Sequence, residues 1–284
     1  MEVPQNLRCA AEAEDRLDWV EALPAVIDGA AARWHLTVGP PFQPGGACAW
    51  VAPAESDEHG AVVLKVGWPH PDATHEAVGL ALWDGEGAVR LLASARTERA
   101  DLLLLERCVP GTALSERPGD EQDVVVARLL QELWRDPPIG HDLPSLGSMC
   151  QRWADTRAQR PPGELDPGLV RQGVALFRAL AADADRAVLL TTDLHAQNVL
   201  ASERRPWLAI DPKPHVGDPA YDVLQHLLNR DEDLHRDPEA LARRVAGLAE
   251  VDPERVLLWL FARCVIESHQ WPTLADVARR VAPR

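Results

Sequence analysis

The sequence predicts an α+β chain in two lobes: a small one on a five-stranded antiparallel sheet, then a larger, mainly helical one. Three observations predict it. From His35 to Glu106, short apolar runs alternate with turn residues, the texture of strands. Beyond Asp120, apolar residues recur at helical spacing, and Asp-Pro helix openings stand at 166–167, 218–219, 237–238 and 252–253. Inside that helical region one stretch, Ala187 to Asp211, reads as strand, loop, strand, turn, strand. Helices on both sides of such an island are not the order of a repeated βα sheet. The boundary is expected at 107/108, giving lobes of residues 1–107 and 108–284, because an apolar strand there runs into Pro110 and Gly111.

In chain order, residues 12–34 carry Leu17, Trp19, Val20 and Leu23 near helical spacing, and Pro24 predicts a break into two short helices. Leu36–Val38, Ala47–Val51 and Ala61–Val66 read as the first three strands. Pro44, Gly45 and Gly46 lie between the first two; their amides suit phosphate, and an ordinary hairpin turn is an equal reading. In the third strand Lys65 sits among apolar residues and faces away from Leu64 and Val66. An ammonium there needs partners; a lysine guarding a sheet edge is the opposing reading. Pro71 and Asp72 resemble a helix start, with Glu76 in the first half and an apolar face of Ala77, Leu80, Ala81 and Trp83. Ala88–Leu92 and Leu102–Leu105 complete the five strands. Asp120 is placed as the cap of a helix bearing Val126, Leu129, Leu130 and Leu133. Leu146–Thr156 and a run through Leu176, Phe177 and Leu180 follow as helices.

The bulk properties bound the function. A chain of 284 residues, 46% apolar and 26% charged, buries an ordinary core. Its net charge of −15 argues against a nucleic-acid partner and permits a cationic ligand. Five scattered cysteines without C-x-x-C read as reduced thiols, not as a disulfide or zinc frame. No leader pattern opens the chain and no run approaches membrane-spanning length. A cytoplasmic monomer or homodimer away from membranes is expected. Lysine stands only at positions 65 and 213; elsewhere the cation is arginine, so a retained lysine points to a place for a compact ammonium, with chance as the opposing reading of each.

The chemistry concentrates in TTDLHAQNVL and the following WLAID. Asp193 can accept a hydroxyl proton, while Asn198 and Asp211 offer hard oxygen ligands to Mg²⁺. Their spacing, D-x-x-x-x-N and then an acid at a strand end, is that of the catalytic core of protein kinases. Turn residues and a helix cap are the plain alternative. Lys65 followed by helix-borne Glu76 matches the kinase lysine and its glutamate in order and distance.

With GPPFQPGG, AVVLKVGWPHPDATHEA, LLLERCVPGTAL, TTDLHAQNVL and WLAIDPKPHVGDPAYD in view, the chain resembles the aminoglycoside phosphotransferases over nearly its whole length. It is most similar to the branch of streptomycin 6-kinases and hydroxyurea phosphotransferases. The resemblance implies a protein-kinase-like fold and ATP- and Mg²⁺-dependent phosphorylation of a hydroxyl on a small molecule. It makes Asp193 the catalytic base, Asn198 and Asp211 the magnesium ligands, and Lys65 with Glu76 the phosphate-positioning pair. Glu106 to Cys108 become the hinge that meets adenine through backbone atoms. Asp218 and Asp222 become acids bracing the catalytic loop, a role compatible with helix capping. Members commonly write His-Gly-Asp where this chain has Thr191, Thr192 and Asp193; a hydroxyl is expected to replace the missing donor. His195 is expected to make a structural hydrogen bond, and Lys213 to be solvated.

A guanidinium-bearing aminoglycoside, most of all streptomycin, implies carboxylates on the large lobe. Asp231, Glu232, Asp233 and Glu267, with Trp271 nearby, are the candidates; solvated helix ends are the opposing reading of each. Hydroxyurea or another small hydroxyl metabolite is the alternative acceptor. A catalytically silent nucleotide-binding protein is the alternative of another class, opposed by the joint presence of Lys65, Glu76, Asp193, Asn198 and Asp211.

Overall fold

A computed structural model describes residues 2–69 and 75–283. The chain divides into two compact units, one of residues 1–111 with 202–204, the other of residues 112–201 with 205–284.

The first unit runs α1 (Gln5–Ala13), α2 (Leu17–Trp34), β1 (Leu36–Val38), β2 (Ala49–Ser56), β3 (Gly60–Gly67), α3 (Glu76–Trp83), β4 (Leu91–Arg96) and β5 (Asp101–Glu106). The five strands form one sheet in the order β1-β2-β3-β5-β4, with every pair antiparallel. β3 is central, and alternation puts Val62, Leu64 and Val66 on one face, each wholly buried. Leu64 and Val66 join Trp50, Trp68, Leu7 and Leu23 in a core that α1 and α2 cover. Burying such side chains contributes about 2 kcal/mol each.

That core explains the first departure from expectation. α2 passes through Pro24 without ending. A mid-helix proline costs about 3 kcal/mol, but Trp19, Leu23, Ile27 and Ala30 are buried on both sides of it. Trp19 Nε1 also donates to the Arg99 carbonyl at 2.8 Å. The break falls earlier instead, at Asp15, whose φ is 55°. β2 extends past the expected Val51 to Ser56. β4 begins at Leu91 rather than Ala88. Ala88 and Val89 are apolar because they are buried, each 1% exposed, behind a turn with Gly85 and Gly87 at positive φ. In α3, Glu76, Gly79, Leu80 and Trp83 are buried while Ala81 is exposed. The helix start expected at Pro71 and Asp72 lies outside the described residues.

The second stretch of chain runs β6 (Pro110–Ala113), α4 (Gly119–Leu133), α5 (Leu146–Ala158), α6 (Pro167–Ala182), β7 (Val188–Leu190), β8 (Val199–Ser202), β9 (Trp207–Ala209) and β10 (His215–Gly217). It continues through α7 (Pro219–Asp222), α8 (Leu224–Leu228), α9 (Asp231–Arg236), α10 (Pro238–Ala249), α11 (Pro253–Glu267) and α12 (Leu274–Arg280). The four Asp-Pro openings do cap helices: Asp166, Asp218, Asp237 and Asp252 each accept a backbone amide of the first turn. Asp120 does not. Pro118 holds the cap position of α4, and Asp120 turns outward to Arg244 at 2.9 Å.

α6 and α11 form the middle of this unit, where Phe177 and Tyr221 meet the ring of Trp259 edge-on. Their approach needs Gly173, since a Cβ there would stand 2.6 Å from the Val265 side chain. The described residues also form two small sheets, β10-β7 and β6-β8-β9. Among the described residues no helix is long and apolar enough to cross a membrane.

Candidate functional site

β7 delivers the chain to Thr191, and a 3₁₀ turn, Ala196–Asn198, returns it into β8. β8 pairs antiparallel with β9, Val199 opposite Ala209, and Ile210 N donates to Asn198 O at 2.9 Å. This register sets Asn198 alongside the end of β9, one residue before Asp211. Asn198 Nδ2 donates to the Asp193 carbonyl at 3.1 Å. That commits the amide nitrogen to the loop and leaves the amide oxygen as the ligand atom. Lys213 closes the group: its Nζ lies 2.6 Å from Asp211 Oδ1 and 3.9 Å from Asp193 Oδ2. Its amide donates to Thr191 O at 2.8 Å. Asp193, Asn198 and Asp211 therefore share one edge. Lys213, expected in solvent, bridges the two acids instead.

The loop is held from beneath by Asp222, which is 1% exposed. Its Oδ2 accepts from Thr191 N and Trp134 Nε1, both at 3.0 Å. Its Oδ1 accepts from Thr191 Oγ1 at 3.1 Å and Thr192 N at 2.6 Å. Thr191 thus supplies the donor expected in place of the missing histidine. Burial pushes the Asp222 carboxyl up, and the four donors pull the other way without cancelling it. Two residues of the site take φ values unusual for side-chain-bearing residues, Thr192 at 51° and Asp211 at 52°. Such strain costs about 1–3 kcal/mol each and persists only where neighbours over-determine it. For Thr192 the neighbours are Asp222 and the Lys213 carbonyl, which accepts from Thr192 Oγ1 at 2.6 Å. Asp218 does something else: it caps α7 and accepts from Arg255 at 2.5 Å and Trp259 Nε1 at 2.7 Å. The two acids expected to share a task divide it.

His195 differs from expectation. Its Nδ1 is buried without a hydrogen-bond partner. Burial, with His226 adding to it, pushes the ring down to a pKa of about 4, so it is neutral at ordinary pH.

In the first unit, Lys65 and Glu76 meet as the pattern predicts. Nζ lies 2.7 and 2.6 Å from the two carboxylate oxygens, and the side chains are 11% and 4% exposed. Lys65 pairs with Val51 on one side and Leu103 on the other, so a sheet edge is excluded. At the end of β5, Glu106 N donates to Arg90 O at 3.0 Å, which engages one of the backbone groups of the hinge expected over Glu106 to Cys108. The Glu106 carboxylate is gripped by Arg204 at 2.7 and 2.8 Å. Burial would raise its pKa; the bonds from Arg204 and the Arg90 amide prevail and lower it. Arg204 also donates to Gly85 O and Ala88 O. The sequence gives no sign of this role, since arginine is its habitual cation. Burial, reinforced by Glu106, pushes the Cys108 thiol up to about 11, so it stays protonated. The Pro44–Gly46 turn faces the N-terminus: Asn6 donates to Pro44 O and Gly45 O.

The acceptor carboxylates are mostly engaged. Asp233 pairs with both Arg230 and Arg236, which hold its pKa low. Asp231 lies 3.2 Å from His235. Glu267 accepts from Arg263 at 3.0 Å, and that guanidinium is stacked 4.3 Å from the Trp153 ring centroid. Glu232 and Trp271 are exposed. Among the described residues no group of three or more His, Cys, Asp or Glu is arranged to hold a metal. Mg²⁺ shared with substrate phosphates needs only one or two carboxylates, which Asp211 and the Asn198 amide oxygen fit.

Residues 33–273 match the family described as aminoglycoside/hydroxyurea antibiotic resistance kinase. The chain is 35% identical to the hydroxyurea phosphotransferase of Kitasatospora aureofaciens, covering 89% of this chain and 74% of that one. It is 30% identical to the streptomycin 6-kinase of Streptomyces glaucescens, covering 95% and 91%. In fold it is similar to the aminoglycoside phosphotransferase APH(3'')-Id of Streptomyces rimosus, solved with ADP and streptomycin. The TM-score is 0.56 at 18% identity, covering 90% and 98% of the two chains.

Proposed function

Because the chain belongs to the aminoglycoside/hydroxyurea antibiotic resistance kinase family, a family of ATP-dependent phosphotransferases acting on small-molecule hydroxyls, we propose that Asp193 is its catalytic base and that it phosphorylates streptomycin or a closely related aminoglycoside. The observation that carries the assignment of roles is the gathering of Asp193, Asn198, Asp211 and Lys213 on one loop scaffold. Asp193 orients the acceptor hydroxyl and takes its proton. Asp211 and the Asn198 amide oxygen would hold Mg²⁺, which would supply positive charge to the triphosphate. Lys65, aimed by Glu76, holds phosphate oxygens, and the backbone beyond Glu106, at Cys108, meets the adenine. Positioning and charge neutralisation account for most of the acceleration in such transfers.

Hydroxyurea is the second reading. It is favoured by the pairing of Asp233 and Glu267 with arginines, which leaves few carboxylates for a dication.

Coupled ADP release with streptomycin and hydroxyurea tests both. Acceptor-dependent turnover is expected in the native chain, and a fall of about 10³-fold in kcat for Asp193→Asn with ATP binding retained. Acceptor-dependent turnover that survives Asp193→Asn would refute the assignment.

A further inference from the structure

Beside the catalytic loop, wholly within the second unit, lies a cavity of about 140 Å³ lined by Ser115, Gln122, His195, Gln197, His226 and Asn229, with Ala196. Ser115, Gln197 and Asn229 are exposed and form a rim, while His195 and His226 are 9% and 0% exposed. Both imidazoles carry a buried Nδ1 with no hydrogen-bond partner. Buried polar atoms are rarely left so, and each costs about 1–3 kcal/mol. Two of them in one small open pocket, next to the loop that bears Asp193, mark a place where a ligand completes the bonding.

The lining dictates what kind of group fits. It contains no carboxylate, lysine or arginine. His226 Nε2 lies 2.8 Å from Asp123 Oδ1, and that carboxylate is also met by Arg230 at 2.6 Å and Arg244 at 3.4 Å. The one acid behind the pocket is thus already matched by two cations. Asp123 engages Nε2, so Nδ1 is the ring atom of His226 left for a ligand. A buried guanidinium would find no unmatched carboxylate here, and a phosphate no lysine or arginine. A compact neutral group bearing N–H or O–H donors and a carbonyl or hydroxyl acceptor would satisfy the two ring nitrogens and the amides of Gln122 and Gln197. The volume is several times what one water needs.

We infer that this pocket is an acceptor subsite that binds a neutral, donor-bearing group, the carbamoyl end of a hydroxyurea-like acceptor or the hydroxyl face of a sugar ring. The inference rests on the phosphotransferase reading above only in calling the ligand an acceptor. The pocket orients the acceptor, and it selects against placing a guanidinium beside the catalytic loop.

The test uses the full chain, without nucleotide, labelled with ¹⁵N-histidine. Hydroxyurea and streptomycin are titrated separately while the Nδ1 resonances of His195 and His226 are followed. Movement of both with hydroxyurea identifies a carbamoyl ligand; movement with streptomycin identifies its hydroxyl-bearing rings. In Ser115→Phe and Asn229→Trp, which narrow the rim at exposed positions, the shifts are expected to vanish. KM for the responding acceptor should rise at least tenfold, with nucleotide affinity as in the native chain. If an acceptor is phosphorylated while neither resonance moves, or if both variants keep acceptor KM within twofold, the pocket holds water and the inference fails. If the resonances move but no acceptor is phosphorylated, the catalytic reading fails and the pocket stands.

Discussion

Lys65 and Lys213 are the chain's only lysines, and each holds a carboxylate in its own unit. The two pairs are built differently. Lys65 lies on a central strand and meets both oxygens of Glu76, and the pair is nearly closed to solvent. Lys213 lies on a loop, 23% exposed, and touches one oxygen of Asp211 and one of Asp193, acids that are 39% and 27% exposed. The first pair is a strut between strand and helix: breaking it takes a close countercharge from a buried group. The second is a clasp on groups that solvent and ligands can reach, and its partners can be exchanged. The closed pair fixes where a cation stands. The open pair keeps two acids from repelling each other until other charges arrive.

The largest expected effect tests what the open pair rests on. Asp222→Asn turns an amide NH₂ toward two of the four donors that Asp222 now accepts. Stability should fall by about 2–4 kcal/mol in urea unfolding. Turnover should fall on the order of 10²-fold as Thr192 relaxes from its strained φ and shifts the neighbouring Asp193. Native turnover in a destabilised variant would show that the loop keeps its shape without this acid.

Next in size is the closed pair. Glu76→Gln should lower stability by about 3 kcal/mol, because Lys65 loses a buried countercharge. Lys65→Ala should raise the KM for ATP, or cut kcat, by about 10²-fold while sparing the KM for the acceptor. An equal rise in both KM values would mean that the pair only braces the fold.

These pairs also separate what the sequence disclosed from what it concealed. Strand alternation gave the face of Lys65, and its burial demanded the partner that Glu76 provides. The Asp-Pro openings disclosed four helix starts, because capping is local chemistry. The loop from Thr191 to Asn198 was legible for the same reason: its spacing is set by a turn and a β8–β9 register. Concealed were the contacts made across long sequence distances. Pro24 looked like a break because propensity says nothing of the core that α2 covers. Asp218 and Asp222 looked alike until their partners diverged, Arg255 and Trp259 for one, Thr191 and Trp134 for the other. Glu267 and Asp233 looked free because an arginine three or four residues away on a helix is as often solvated as paired. The orphaned nitrogens of His195 and His226 have no signature in the sequence, since they arise from what surrounds them.

The smallest expected effect falls on the open pair, and its sign distinguishes a clasp from a strut. Lys213→Gln removes a cation 2.6 Å from Asp211 while keeping a side chain of similar length that can still donate a hydrogen bond. A strut would lose stability, as Lys65 and Glu76 should. A clasp loses little: an exposed ion pair contributes only about 0–1 kcal/mol, and Asp211 remains open to solvent. Magnesium then meets Asp211 without the Lys213 ammonium competing for Oδ1. The Mg²⁺ concentration giving half-maximal rate should therefore fall about two- to fivefold, while the urea midpoint barely moves. A rise in that concentration would mean that Lys213 assists the metal instead of competing with it. A fall in urea midpoint as large as that of Glu76→Gln would make the two lysines the same kind of pair after all.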